Sequence, residues 1–354
     1  LNDAIPLYPI RAPVATVTSR RSMVLKRFAQ AETRKKPSTA GRFASRPQSA
    51  FTGAGRRSPH SRLSIGNEGA ILSSVRWRSD SFEIDSHTPD EIALFLAKAA
   101  LAAGPAVMEE YDRGCDVASK ADGSPVTSAD RRAEAIICDY LARIVPLTPL
   151  CAEEAMAAGA LPEIAERFIL VDPLDGTREF LAGNGEFTIN VALIARGAPI
   201  AGAVYAPAIG RLWVGGETAF ACELRLGGEA PDEGSQRRIR TRSAPANLVA
   251  FASRSHLDAH SDAFLKGLPI GETRFAGSSL KFCLIAEGLG DVYPRFAPTM
   301  EWDTAAGDAV LRAAGGSVRD PSGRPLLYGK TESGLRNGPF IAWGDRAAAK
   351  QFGY

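Results

Sequence analysis

Apolar and polar positions divide this chain of 354 residues into two unlike parts. Residues 1 to about 86 show no sustained apolar period; they are Arg, Ser, Pro and Ala with few acids. Such a stretch cannot bury a core, and it reads as a disordered extension. Regular structure starts at Thr88-Pro89-Asp90-Glu91. Thr supplies an N-cap hydroxyl, Pro suits the first helical position, and Glu at the third completes a capping box. The helix that follows is expected to run to about Tyr111, kinked or shortened at Pro105. A second helix is expected after Ser128, with Ala133, Ile136, Ile137, Tyr140 and Leu141 on one face. Asp130 then lies in its first turn, where the helix dipole favours a carboxylate.

From Phe168 the pattern changes to short apolar runs. Strands are expected at 168–172, 187–195, 200–205 and 212–215, with a hairpin turn at Gly197-Ala198-Pro199. Residues 227–242 read as a polar loop and 249–253 as a further strand. Helices are expected at 278–287 and 304–314, the second closed by Gly315-Gly316, with a short strand at Val292-Tyr293 between them. The folded part is therefore 87–354, in two joined halves at 87–242 and 243–354.

Composition sharpens this division. The net charge of +2 conceals an asymmetry: residues 1–80 hold 15 Lys+Arg against 4 Asp+Glu, leaving 27 against 36 in the remainder. The basic residues of the extension are scattered, without interleaved aromatics for base stacking, so no nucleic-acid partner is expected. An Arg- and Ser-rich, acid-poor extension fits a transit peptide or a regulatory arm. Leu1 in place of Met fits a mistaken or alternative start site, which is the preferred expectation. Hydrophobic residues are 45% and charged residues 23%, ordinary for a globular protein. The apolar segment around residues 94–108 is broken by Lys98, Gly104 and Pro105, so no membrane span is expected. Five widely spaced cysteines with no Cys-x-x-Cys indicate reduced thiols and a cytosol-like compartment. No His stands in a zinc-ligand spacing.

Candidate chemistry centres on Val171-Asp172-Pro173-Leu174-Asp175-Gly176-Thr177, directly after the run Phe168-Ile169-Leu170. Proline cannot continue a strand ladder, so the chain turns there. Asp172, the Leu174 carbonyl and Asp175 can then converge as a hard-oxygen site suited to Mg²⁺. Thr177 places a hydroxyl beside a bound water. The bland alternative is a solvated turn, since Asp, Pro and Gly are ordinary turn residues. Glu153-Glu154 alone would be a solvated pair, Trp302 a core residue, and Asp308, five residues past Asp303, a surface residue.

Taken in order, Asp130, Glu153-Glu154, the Asp172 to Thr177 segment and Trp302-Asp303-Thr304-Ala305-Ala306-Gly307 resemble the lithium-sensitive phosphomonoesterases of the inositol monophosphatase superfamily. Further segments resemble its CysQ-type 3′(2′),5′-bisphosphate nucleotidases. These are Lys120 to Asp130, Thr177-Arg178-Glu179-Phe180, Asn184-Gly185-Glu186-Phe187-Thr188, Ser253-Arg254-Ser255-His256, Gly277-Ser278-Ser279-Leu280-Lys281-Phe282-Cys283 and Tyr293-Pro294-Arg295-Phe296. The resemblance spans Pro89 to the C-terminus.

It implies a five-layered αβαβα sandwich. It implies two or three Mg²⁺ ions, with Li⁺ inhibitory, held by Glu153, Asp172, the Leu174 carbonyl, Asp175 and Asp303, and Glu154 behind them or on a weak third ion. Thr177 would touch the nucleophilic water and Asp130 would accept from Thr177. The substrate, adenosine 3′,5′-bisphosphate, would meet Glu153, Leu174, Gly176, Thr177, Arg178, Gly277, Ser278, Lys281, Arg295 and Asp303. The Gly277-Ser278-Ser279 turn before a helix reads as an anion cradle, and Lys281 as a compact phosphate partner. An inositol or sugar phosphate is the alternative substrate. The implied protein is a monomer or homodimer, cytoplasmic or peripheral at the inner face of the plasma membrane, and organellar only with a genuine transit peptide. Departures from the pattern are Ala152 where many relatives have Ser, Pro105, and Glu301 before Trp302; none removes a ligand.

Overall fold

The structure, a computed structural model, describes residues 83–119, 125–160, 162–224, 236–254 and 258–354. The expectations for residues 1–82, for the segment 120–124, for His256 and for most of the polar loop fall outside these. Of the expected extension, residues 83–86 are described, and Ile84–Ser86 forms one turn of 3-10 helix.

Helix α1, Pro89–Arg113, opens on the expected capping box. Thr88 Oγ1 accepts the Glu91 N–H at 3.3 Å, and the Glu91 carboxylate accepts the Thr88 N–H at 2.9 Å. Pro105 does not shorten it. The proline lies on the exposed face, where water can satisfy the carbonyl that it leaves unbonded. By length and composition α1 could cross a membrane. Here its Leu96, Ala99, Ala103 and Val107 are buried against a sheet instead. Strands β1, Val117–Ser119, and β2, Pro125–Thr127, pair antiparallel and lead into α2, Ser128–Ile144.

The first sheet has the order β3-β4-β5-β6-β7-β8-β9. Its strands are β3 Leu150–Ala152, β4 Arg167–Asp175, β5 Thr188–Ala195, β6 Ala198–Ala206, β7 Arg211–Gly215, β8 Ala219–Glu223 and β9 Gln236–Arg238. Only β3 and β4 pair in parallel. Short helices α3, Glu153–Ala157, and α4, Thr177–Leu181, follow β3 and β4. The β5–β6 turn is Arg196-Gly197, one residue earlier than the sequence reading. Ala195 pairs with Ala198, and both turn residues have positive φ, 49° and 75°. That backbone matches the twist of a two-residue hairpin; Pro199 is already in the strand.

The second sheet has the order β11-β10-β12-β16-β14. Its strands are β10 Leu248–Ser253, β11 Ile270–Ala276, β12 Val292–Arg295, β14 Ser317–Arg319 and β16 Phe340–Trp343. A two-stranded ladder joins β13, Thr299–Met300, to β15, Arg336–Asn337. Among the helices here are α5 Ala259–Lys266, α6 Leu280–Ala286, α7 Trp302–Ala313 and α8 Arg346–Gln351.

Three apolar clusters show the layering. α1 and α2 pack on Ile169, Val171 and Val191 of the first sheet. α6 and α7 fill the space between the sheets, against Leu170 and Ala192 on one side and Tyr293 and Phe340 on the other. α5 and α8 place Leu265 and Ala349 on Leu248, Val292 and Trp343. The result is a five-layered αβαβα sandwich. A helix between two sheets is covered on every side, which corrects the expectation for Asp308. That residue is fully buried on α7, paired with Arg312 at 2.6 Å and accepting the Tyr328 hydroxyl at 3.0 Å.

Candidate active site

The site is built on an irregularity in β4. Asp172 pairs with Asn190 and Asp175 with Thr188, so three steps along β4 match two along β5. In a regular strand, residues three apart point to opposite faces; one inserted residue restores the same face. The sequence reading ends the strand at Pro173, whereas the strand runs through it to Asp175 and absorbs the proline in this bulge. Asp172 and Asp175 therefore share the inter-sheet side with Thr188 and Asn190, at the end of β4.

Other elements bring their groups to the same place. Asp303 is in the first turn of α7, and Glu153 is the first residue of α3. Burial, then the charges of Glu153, Asp175 and Asp303, hold Asp172 well above the usual carboxylate range. Burial and then Asp303 push Asp175 up to about 6, with Lys281 and a Ser279 hydrogen bond pulling the other way. Like charges gathered in a low-dielectric site call for a cation. The donor set of four carboxylates and the Leu174 carbonyl is all hard oxygen, which fits Mg²⁺ and not a soft metal. Among the described residues, no three such side chains close around one point at ligand distance. Asp303 turns one oxygen to the Thr299 hydroxyl and the Met300 N–H, and Asp172 accepts the Leu174 N–H at 3.0 Å. The Asn190 side-chain oxygen Oδ1 and Arg295 Nε are buried beside the carboxylates without a hydrogen-bond partner. Buried groups of that kind are the ones a ligand or water completes.

Asp130 is buried at the third position of α2. One of its oxygens is fixed by the Thr127 N–H at 2.7 Å and the Thr127 hydroxyl at 2.6 Å. The other faces the Thr177 hydroxyl at 3.4 Å, which also reaches the Leu174 carbonyl at 3.3 Å. One hydroxyl proton thus has two acceptors. With the proton placed on either, the Thr177 oxygen is free to accept from a water.

The substrate candidates divide. Gly176 has φ 89° and is the N-cap residue of α4, while Arg178 is exposed on its first turn. The Gly277 N–H is already given to Glu186 at 2.8 Å. Ser278 holds φ 41° and meets the Thr188 hydroxyl at 3.1 Å. Lys281 departs from its expected place: its ammonium is buried and donates to the Ala276 and Ser278 carbonyls at 3.2 and 2.5 Å. Burial lowers its pKa to about 8, against the pull of Asp175. Arg295 Nη2 reaches the Pro298 carbonyl at 3.4 Å. Glu154 gives its N–H to Glu134 at 2.6 Å.

Sequence reasoning assigned no role to Glu134 or Asn190, and it read Ser279 only as part of an anion cradle. Glu134 of α2 accepts the N–H groups of Glu154 and Ala155 at 2.6 and 2.8 Å, capping the helix that carries Glu153. Asn190 donates to Asp175 at 3.3 Å and to Ser279 Oγ at 3.0 Å. Ser279 Oγ donates to the Asp303 carbonyl at 2.7 Å. Asn190 and Thr188 had a readable signal, as polar residues at a two-residue spacing in an otherwise apolar strand. A separate cavity of about 720 Å³, lined by Pro149, Glu166 and Arg167, lies by the other end of β4 and shares none of these groups.

Fold and site together define a layered αβαβα sandwich with carboxylates gathered at the end of one strand. The inositol monophosphatase family model matches residues 88–349, and the chain belongs to that family. It is 46% identical over 240 residues to the 3′(2′),5′-bisphosphate nucleotidase CysQ of Escherichia coli K12, across 67% of this chain and 93% of the relative. Its fold matches the crystal structure of CysQ from Bacteroides thetaiotaomicron with a TM-score of 0.61 and 37% identity, over 73% of this chain and 98% of that one. It also matches an inositol monophosphatase from Zymomonas mobilis with a TM-score of 0.59 and 25% identity, over 75% and 97% of the two chains.

Proposed function

We propose that this protein is a Mg²⁺-dependent 3′(2′),5′-bisphosphate nucleotidase. It converts adenosine 3′,5′-bisphosphate to AMP and phosphate and serves sulfate assimilation in the cytoplasm. The observation that carries the reading is the β4 bulge, which turns Asp172 and Asp175 to one face beside Asp303. The likeness to CysQ proteins supports the substrate.

Glu153, Asp172, the Leu174 carbonyl, Asp175 and Asp303 are the residues that would hold Mg²⁺. When bound, the metal supplies neutralisation of the phosphate charge and an acidified water. The chain's own part is positioning and proton handling. Thr177 Oγ1 accepts a proton from the attacking water and passes its own to Asp130, whose far oxygen is locked by Thr127. The water oxygen bonds to phosphorus as the bond from phosphorus to the ribose oxygen breaks, the departing ribose oxygen takes a proton from solvent water, and Arg295 adds positive charge near the carboxylates.

The test is phosphate release with Mg²⁺, offering adenosine 3′,5′-bisphosphate and inositol 1-phosphate side by side. A strong preference for the nucleotide is expected. A preference for inositol 1-phosphate would keep the metal site and overturn the substrate.

A further inference from the structure

The loop Gly277-Ser278-Ser279 leads from β11 of the second sheet into α6 and touches β5 of the first, and one buried carboxylate ties it down. Glu186, 7% exposed, stands just before β5. Its Oε2 accepts the Gly277 N–H at 2.8 Å. Both its oxygens take the Arg254 guanidinium, from Nε and Nη2 at 2.8 Å each. Arg254 Nη2 also reaches the Phe275 carbonyl at 2.8 Å, at the end of β11. Arg254 follows β10 directly, so the pair joins elements of both sheets. A planar bidentate ion pair fixes direction as well as distance.

The loop needs such a tether. Ser278 sits at φ 41°, a left-handed backbone that a non-glycine residue adopts at a cost. Gly277 lies so close that a Cβ would stand 2.5 Å from the Glu186 carbonyl oxygen and 2.8 Å from Glu179 Cγ. What the loop then presents is useful. Ser278 Oγ meets Thr188, Ser279 Oγ receives Asn190 Nδ2 and donates to the Asp303 carbonyl, and the Ser278 carbonyl takes the Lys281 ammonium. The loop therefore sits against two of the carboxylate-bearing elements and over the only lysine of its own segment.

We propose that Glu186 and Arg254 are a positioning pair that holds this loop in its strained form and so sets how tightly the site holds its phosphorylated substrate. Neither side chain touches the reacting atoms. The inference rests on the phosphomonoesterase reading above, and its effect is on substrate affinity, with turnover of bound substrate left to the carboxylates.

The test compares Glu186→Gln, Arg254→Ala and Arg254→Lys with the wild type by steady-state kinetics, each with a thermal melt. Adenosine 3′,5′-bisphosphate and inositol 1-phosphate are both assayed, and the variants are judged on the one that the wild type prefers. Glu186→Gln and Arg254→Ala are expected to raise KM about tenfold with kcat within about twofold, and Arg254→Lys to recover part of the loss, since a single ammonium cannot restore the bidentate fork. Unchanged KM in a folded variant, or a fall in kcat at unchanged KM, overturns the inference. If the first two variants do not fold, Arg254→Lys decides in the same way. A wild-type preference for inositol 1-phosphate would sink the substrate assignment alone, because the variants would still be scored on that ester.

Discussion

At the scale of single residues, the site is defined by carboxylates that are uncomfortable without a cation. Asp175 illustrates it. Burial and the neighbouring Asp303 lift it to about 6, and Lys281, Ser279 and Arg295 oppose them. At neutral pH the side chain is ionised at a cost to the fold, and that cost is what a bound cation recovers. Asp175→Asn is therefore expected to lower kcat by about 100-fold or more, while the metal-free protein melts no lower than the wild type. Phosphate release and thermal melts in chelator, then with added Mg²⁺, check both parts. Near-normal turnover, or a wild-type gain in melting temperature with Mg²⁺ that the variant shares in full, would refute the ligand assignment. Residue types made these acids legible from sequence, because Asp172 and Asp175 flank a proline after an apolar run. The direction a side chain takes was not legible. Lys281 reads as a phosphate partner, yet its amine turns inward to two carbonyls. Asp308 reads as exposed because the helical period turns it from Asp303; burial followed instead from a second sheet that the period cannot see.

At the scale of elements, local signals were strong where a chain segment stabilises itself. The capping boxes at Thr88 and Thr127 both form. Signals were weak where a partner decides. Strand β11 is an edge strand with exposed Glu272, Thr273 and flanking charge, so it lacks the alternation of a half-buried strand. Strand β16 is four buried apolar residues, too short to separate from helix by periodicity. The short helix α3 is the element where this matters for chemistry. It has five residues, its N-cap is Ala152, and that residue offers no side-chain acceptor. Glu134 supplies the missing cap from another helix, through two backbone N–H groups. A lost N-cap costs about 1 kcal/mol, with a range of about 0.5–2. Glu134→Ala should therefore loosen Glu153 and raise the Mg²⁺ concentration for half-maximal activity several-fold, with a modest fall in melting temperature. A Mg²⁺ titration that superimposes on the wild type would show that Glu153 is held by something else.

For the whole molecule, the boundary seen in the hydrophobic pattern carries the remaining consequence. The family match starts at residue 88, beside the capping box that opens α1. A relative matched over 240 residues of this chain is covered to 93% of its own length. Layer order itself was not readable from periodicity. It came from the resemblance, because a helix buried between two sheets and one covering a single sheet differ in their neighbours more than in their pattern. The charge division was readable, with an excess of acids in the folded part and of bases before it. Removing residues 1–81 should therefore leave kcat/KM on the preferred ester within about twofold and the melting temperature within about 2 °C, a shift smaller than about 1 kcal/mol would cause. The measurement is made at two ionic strengths. A basic segment that acts by drawing in an anionic substrate would give a loss on truncation at low salt that fades as salt screens it. A loss of tenfold or more at both ionic strengths would instead place part of the working enzyme within residues 1–81, and the division drawn from the pattern would have to be moved.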